Sequence, residues 1–205
     1  MSGSETPAVT AADIVGFWLG PSPNDPDAAK KASGRWYTPD DQFDDEIRRK
    51  FGAAMAQARA GALSGWQETA EGALALVILL DQFTRNAYRG TADAFSGDAM
   101  AREVATGALD RGFDRILSIP GRLLLYHPFE HSEDLDDQRR SVALFSGLAA
   151  ESPSEWREYI VSFVRYADAH LEVIEQFGRF PHRNEILGRE STPAEQEWLS
   201  THGGF

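Results

Sequence analysis

Residues 73–80 have the sequence Ala-Leu-Ala-Leu-Val-Ile-Leu-Leu, the longest apolar run of the chain, and residues 81–86 follow it as Asp-Gln-Phe-Thr-Arg-Asn. Because large apolar side chains surround the whole axis of a helix with this sequence, the pattern predicts a helix over residues 66–83 that is buried on most sides. We expect this helix to form the centre of the core. The run is too short to span a bilayer.

Helix signals occupy most of the chain on either side of this run, and strand signals are nearly absent. Capping boxes are predicted at Thr10 with Asp13 and at Thr192 with Glu195. Further helices are predicted from a Thr38-Pro39 cap to Gly61, and over residues 97–110, 120–131, 133–148 and 156–177. This pattern predicts an all-α protein of about seven or eight antiparallel helices in a single domain, residues 1–205, with a flexible N-terminus at residues 1–9.

Composition excludes several classes of function. The 205 residues, 42% of them hydrophobic, are enough for one large core. A formal net charge of −12 disfavours binding to nucleic acid or to an anionic membrane surface. The chain has no cysteine, which excludes disulfides and thiolate chemistry, and it begins without the pattern of a signal peptide. We therefore expect a soluble, cytoplasmic protein that binds neither nucleic acid nor membrane.

Two polar clusters are candidates for a binding site. Residues 178–184, Gly-Arg-Phe-Pro-His-Arg-Asn, place two guanidiniums, an imidazole and an amide in one turn, which favours a negative or planar ligand. The cluster at residues 81–86 ends on the same Arg-Asn pair. Structural roles account for some of these side chains as well: Asp81 and Arg85 have the spacing of a helical ion pair, and Asn86 has that of a C-cap. Arg179 and Arg183 could likewise pair with acidic residues.

The histidines allow more than one interpretation. His127 and His131 lie four residues apart, with Glu130 and Glu133 nearby, which is a spacing found in metal sites. Pro128 interrupts the predicted helix, however, and the order of residues differs from that of zinc proteases, so we predict no metal ion and no cofactor. Ser132 or His131 could instead cap the next helix. His170 lies on an apolar helical stripe, where a histidine is either a core residue or a catalyst.

Motifs spread over nearly the whole chain point to a known family: residues 17–18, 35–37, 80–86, 131–133 with 137–141, 177–184 and 187–192. They resemble the helical proteins catalogued as domain of unknown function 924. The resemblance implies a tetratricopeptide-like α-α superhelix whose motif residues face a shared concave pocket, and it implies no activity, since the family has none assigned. His127 departs from the apolar residue usual at its position, which leaves His131, His170 and His182 as the matching histidines.

Two hypotheses follow for the function. In the first, the protein binds a small anionic or carboxylate-bearing molecule and transfers protons to or from it. In the second, it is a tetratricopeptide-like scaffold that binds a peptide or its C-terminal carboxylate without catalysis. The candidate catalytic residues are His131, His170 and His182. The candidate ligand-binding residues are Asp81, Arg85, Asn86, Glu133, Arg179, Arg183 and Asn184.

Overall fold

The computed structural model describes residues 9–21 and 23–203, and within these ranges it contains helices and turns but no strand. The α-helices are α1 (Ala11–Leu19), α2 (Pro26–Ser33), α3 (Asp41–Arg59), α4 (Ala70–Val77), α5 (Phe83–Ala87), α6 (Asp98–Asp110), α7 (Ile119–Glu130), α8 (Leu135–Glu151), α9 (Arg157–Phe177) and α10 (Pro193–His202). The predicted all-α fold is confirmed. Except for Val9, the predicted flexible N-terminus lies outside the described residues.

The central apolar run forms a continuous rod of three consecutive elements. Helix α4 passes directly into a π-helical segment, Ile78–Gln82, and then into α5, so the described residues form nine separate helices. Every residue from Gly72 to Thr84 is buried. The predicted position at the centre of the core is therefore correct, but the predicted limits are wrong. Thr69 is extended and accepts a hydrogen bond from the Gly72 amide, so the rod begins there, after a separate 3-10 turn at Ser64–Glu68.

Helix α2 was not predicted, which accounts for the larger number of helices. Its eight residues offer no large apolar side chain, and only Ala29 and Ser33 are buried. Its start depends on local chemistry instead. The Asp25 carboxylate accepts a hydrogen bond from the Ala28 amide at 2.7 Å, and Pro26 occupies the first helical position, where no amide donor is needed.

The capping residues confirm two predictions and correct two others. Both predicted capping boxes, at Thr10 and Thr192, are present. Helix α3 is capped by Asp40, so the predicted Thr38-Pro39 cap is wrong, and α8 is capped by Asp134 rather than by Ser132 or His131. The reason is the same in both cases, since each aspartate carboxylate accepts hydrogen bonds from two amides of the first helical turn.

The helices pack around one large core that includes buried residues of every helix from α1 to α9. A small second cluster, Val173, Ile174 and Phe180, lies at the end of α9. Helix α7 runs through Pro128 to Glu130, because a proline near the end of a helix removes only one of its hydrogen bonds. The expected interruption is therefore absent, and the rings of His127 and His131 are neighbours with centroids 5.5 Å apart.

Among the helices of residues 9–21 and 23–203, none combines the length and the apolar character needed to cross a bilayer.

Candidate functional site

A cavity of about 850 Å³ lies between the ends of α5 and α7, the segment after α2, helix α9 and the turn Pro181–Arg183. We call it the central cavity. Both polar and aromatic residues line it. A cluster of polar residues around His131, which we call the polar side, includes Gln82, Arg85, His127, Glu130, His131, His170, His182 and Arg183. The aromatic and apolar residues of the lining include Trp36, Tyr37, Phe95, Tyr159, Phe163, Tyr166 and Ile186, and Lys30, Ser33, Glu158 and Ser162 also line the cavity.

The π-helical segment places a fully buried carboxylate, that of Asp81, behind the polar side of the cavity. Its oxygens accept hydrogen bonds from the Gln82 amide at 2.6 Å and from His131 Nδ1 at 2.8 Å, and Arg85 Nη1 lies 2.9 Å from Oδ1. Burial alone would raise the pKa of Asp81, but the charge of Arg85 and the contact with His131 outweigh it and hold that pKa below its usual value. Asp81 is therefore ionised.

This carboxylate fixes the tautomer of His131. Since Nδ1 faces the ionised Asp81, it carries the proton, and Nε2 is left as the basic atom of the neutral ring. Nε2 has no hydrogen-bond partner among the described residues, and the ring lines the central cavity. Burial and the charge of Arg85 hold the pKa of His131 well below its usual value. The arrangement is an oriented imidazole base.

His127 and Tyr37 form a second oriented pair. Nδ1 of His127 lies 2.7 Å from the carbonyl oxygen of Leu123, to which it must donate, so Nε2 accepts a hydrogen bond from the Tyr37 hydroxyl at 2.9 Å. Burial lowers the pKa of His127 and keeps its ring neutral. The Tyr37 hydroxyl is thereby held inside the cavity, although the residue as a whole is 57% exposed at the cavity mouth.

Glu130 lies among these imidazoles. Its Oε2 is 3.8 Å from Nε2 of His127 and its Oε1 is 3.8 Å from Nδ1 of His170, and Oε1 is buried without a hydrogen-bond partner among the described residues. Burial, together with the negative charge of Asp81, raises the pKa of Glu130 to about 8. The side chain is therefore mainly a neutral carboxylic acid at pH 7, close to the pKa at which a group exchanges protons most readily.

The two other histidines that line the cavity are also neutral. His170 donates from Nδ1 to the Tyr166 carbonyl at 2.8 Å, and burial lowers its pKa to about 3. Burial and the charge of Arg183 lower the pKa of His182 to about 4. The polar side of the cavity is thus rich in imidazoles that carry no charge at neutral pH.

Two of the arginines that line the cavity, Arg85 and Arg183, have different environments. Arg85 is paired with carboxylates, because Nη1 and Nη2 donate to the two oxygens of Asp98 at 2.9 and 3.0 Å and Nη1 also contacts Asp81. Arg183 donates only from Nη1, to the His131 carbonyl at 3.0 Å, and its nearest carboxylate oxygen, on Asp98, is 3.7 Å away.

The guanidinium of Arg183 is held between two aromatic rings. Its carbon lies 4.7 Å from the centroid of Phe95 and 4.4 Å from that of Phe180. Burial lowers its pKa to about 10, so that it remains charged at neutral pH. Nε is buried without a partner, and Nη2 makes no hydrogen bond to the described residues. A fixed, charged donor group with unused hydrogens thus lines the cavity.

Comparisons with known proteins place the chain in a family. The model of a bacterial protein family of unknown function, DUF924, matches residues 14–203. The chain belongs to this family. It is also similar to a solved structure of a protein of unknown function from Agrobacterium tumefaciens, with 39% identity, a TM-score of 0.78, and coverage of 92% of this chain and 96% of that one. No curated protein gives a significant match. The resemblance seen in the motifs is therefore confirmed.

The predicted site residues of this DUF924 protein fall into three groups. Six line the central cavity: Arg85, Asn86, His131, His170, His182 and Arg183. Asp81 lies behind them and contacts two of them. Asn86 is not the C-cap of its helix, because it lies inside α5 and donates to Asp44 at 2.7 Å.

The third group, Glu133, Arg179 and Asn184, lies outside the cavity lining and holds the loop after α9 in place. Glu133 accepts hydrogen bonds from Arg189 at 2.7 and 2.9 Å and from the Phe180 amide. Arg179 forms a bidentate salt bridge with Glu195, with N···O distances of 2.6 and 2.8 Å. Asn184 bonds Arg189 and Ser191.

Sequence reasoning missed Glu130, His127, Tyr37, Gln82 and Asp98 as residues of the site. A signal existed for the first two, since His127, Glu130 and His131 share one face of a helix by their spacing of three and four. The same spacing is also typical of metal sites, which conceals its acid–base meaning. Tyr37 and Gln82 belong to motifs that the family resemblance places at the pocket, whereas Asp98 offered no signal, because its partner Arg85 is 13 residues away in sequence.

Within the described part of the chain, no three His, Asp or Glu side chains are placed so that they could hold a metal ion together. The absence of a bound metal stays a prediction.

Proposed function

We propose that this DUF924 protein binds a small carboxylate-bearing molecule in the central cavity and exchanges protons with it. The observation that carries the proposal is the guanidinium of Arg183, which is charged, fixed between Phe95 and Phe180, and hydrogen-bonded to the described residues only through Nη1. A planar group with two adjacent donors matches the two oxygens of a carboxylate. Arg85 supports the site indirectly, since its charge keeps Asp81 ionised.

Acid–base groups lie next to this donor. Arg183 bonds the main chain of His131, whose Nε2 is a base oriented by Asp81. Glu130 supplies a proton at neutral pH, because its pKa is about 8. A bound carboxylate would add a negative charge beside the neutral imidazoles and raise their pKa values toward neutrality. Ligand binding and proton uptake are therefore coupled in this proposal.

The scaffold hypothesis would use the same arginine for a peptide C-terminus. We favour a small ligand because the polar groups are buried among helices, as in compact binding sites, and because Glu130 and the histidines have no role in simple peptide capture. The tetratricopeptide-like superhelix and the cytoplasmic location stay proposals. The net charge of −12 supports a function without nucleic acid.

An acetate titration followed by NMR at the arginine Nε resonances tests the proposal. We expect saturable shifts of the Arg183 signal. Arg183→Lys should weaken acetate binding about tenfold or more. A hydrogen bond to a charged group contributes about 1.5–3 kcal/mol, and an ammonium group cannot bind a carboxylate in the planar, bidentate geometry of a guanidinium.

Arg179→Lys is the matched control, because it changes the same residue type in the same loop outside the cavity lining. It should leave acetate binding unchanged. Circular dichroism of both variants establishes that they are folded. Equal acetate affinity in wild type and folded Arg183→Lys would contradict the proposal.

A further inference from the structure

We infer that the ligand of the central cavity is an amphipathic monocarboxylate, with one anionic head at Arg183 and an apolar body of aromatic width against the aromatic wall formed by Tyr37, Phe163 and Tyr166. The inference rests on the proposed function and specifies its substrate class. It depends on three observations: the pairing of the cations around the cavity, the aromatic wall, and the size of the space.

Charge complementarity limits the ligand to one anionic group. Of the other cations that line the cavity, Lys30 pairs with Glu158 at 3.1 Å, Arg85 with Asp98, and Arg89 with Asp44 at 2.9 Å. The imidazoles are neutral. Arg183 is the cation in the described lining that lacks a hydrogen-bonded carboxylate. A second anionic group on the ligand would have to displace a carboxylate from one of these cations, and its desolvation would oppose binding.

The His131 and His127 side chains lie between Arg183 and the aromatic wall. Arg183 bonds the main chain of His131, and the His131 ring lies 5.5 Å from that of His127. The His127 ring is in turn 6.3 Å from Tyr37 and 5.9 Å from Phe163. An anionic head at Arg183 therefore places the next few carbon atoms of a ligand beside this wall.

Exposed rings complete the wall at the cavity mouth. Tyr37 and Tyr166 are 57% and 59% exposed, although both line the cavity. Such rings are sites where an apolar ligand removes carbon surface from water, and aromatic rings favour stacked or edge-on contact with another ring. A small aliphatic acid such as acetate, which has no apolar body, would leave this ring surface exposed to water.

The size of the cavity supports the same conclusion. A volume of about 850 Å³ is within the range of roughly 300–1,000 Å³ typical of sites for ligands of drug size. An acetate or phosphate ion would fill a small fraction of it. Because seven aromatic or large apolar residues line the cavity, the volume beyond the anionic head suits a carbon body.

Calorimetric titration of the full-length protein with three probes tests the inference. The probes are acetate, 3-phenylpropionate and glutarate. We expect 3-phenylpropionate to bind at least about tenfold more tightly than acetate, because its ring buries apolar surface. Glutarate should bind no more than about threefold more tightly than acetate, because the other cations of the described lining are already paired with carboxylates.

Two variants locate the apolar body. Tyr166→Ala should weaken binding of 3-phenylpropionate by about threefold or more and leave acetate binding unchanged. Ile116→Ala is the control, since Ile116 is an exposed apolar residue, 75% accessible, that does not line the central cavity. It should leave the affinities of both probes unchanged.

The outcomes separate the inference from the proposed function. Equal affinities for acetate and 3-phenylpropionate, or tenfold tighter binding of glutarate, would overturn the inference while Arg183-dependent acetate binding stands. A loss of acetate affinity in Tyr166→Ala would also overturn it, since the carboxylate would then bind at the aromatic wall and not at Arg183. If neither acetate nor 3-phenylpropionate binds, the proposed function fails and the inference fails with it.

Discussion

At the scale of single residues, the cavity depends on one ionised carboxylate and one neutral carboxylic acid placed close together. Asp81 keeps its charge because Arg85 and His131 contact it directly, whereas Glu130 has no such partner and is destabilised as an anion by burial and by Asp81. Opposite environments therefore give two carboxyl groups opposite protonation states at pH 7. The sequence separates them by 49 residues, and only the fold brings them to one site.

The raised pKa of Glu130 predicts a specific pH dependence of stability. Below about pH 4.5 the residue is protonated in both the folded and the unfolded chain. As pH rises, the unfolded chain loses this proton while the folded chain keeps it up to about pH 8, so stability falls across this window. Glu130→Gln should therefore match wild type near pH 4 and be more stable at pH 7, by on the order of 3 kcal/mol.

Glu133→Gln is the control for this measurement. Burial of Glu133 is outweighed by its hydrogen bonds to Arg189 and Phe180, so its pKa is lowered and its stabilisation is complete above about pH 4.5. Its loss should lower stability by a constant amount from pH 5 to pH 8. Urea unfolding at several pH values measures both variants. A Glu130→Gln difference that does not change with pH would show that Glu130 is ionised in the folded protein.

At the scale of elements, the rod of α4, the π-helical segment and α5 decides which side chains reach the cavity. A π turn shifts the register of a helix by one residue, and it is found frequently at functional sites. Here it holds Asp81 behind His131 and places Gln82 in the cavity lining. The apolar run predicted the rod and its burial, because those follow from hydrophobic pattern. The π turn could not be predicted in the same way, since it depends on contacts with other helices.

Helix α6 is fixed against this rod by a glycine. A Cβ atom on Gly97 would lie 2.2 Å from the Leu80 carbonyl oxygen, and this backbone cannot move aside as a flexible side chain could. Gly97→Ala should displace the start of α6, separate Asp98 from Arg85, and lower the free energy of unfolding by about 1–3 kcal/mol or more.

Gly107→Ala in the same helix provides the comparison. No atom lies within 4 Å of a Cβ at this position, so alanine should stabilise α6 by about 0.5–1 kcal/mol through its helix propensity. Thermal unfolding of the two variants should move in opposite directions. A Gly97→Ala protein as stable as wild type would show that α6 and the π segment are not in close contact.

At the scale of the whole molecule, helices α1 to α9 share one large core, and α10 packs outside it. The main cluster of buried side chains draws on α1 to α9, and α10 contributes no residue to it. The one residue that α10 buries is Glu195, which anchors Arg179. The sequence predicted α10 from its capping box, but a cap contains no information about how much a helix packs. Its peripheral position follows from the lack of large apolar residues in its sequence other than Trp198 and Leu199.

This division predicts uneven protection of amide hydrogens in the native state. Helix α7 is buried from Leu123 to Glu130 and α4 from Gly72 to Val77, so their amides should exchange only when the whole protein unfolds. The amides of α10 should exchange through local opening, with protection at least tenfold weaker. Hydrogen exchange measured by mass spectrometry at several low urea concentrations distinguishes the two, because global opening exposes much surface and responds strongly to urea, whereas local opening does not. Equal protection and equal urea dependence in α10 and α7 would mean that α10 unfolds together with the core.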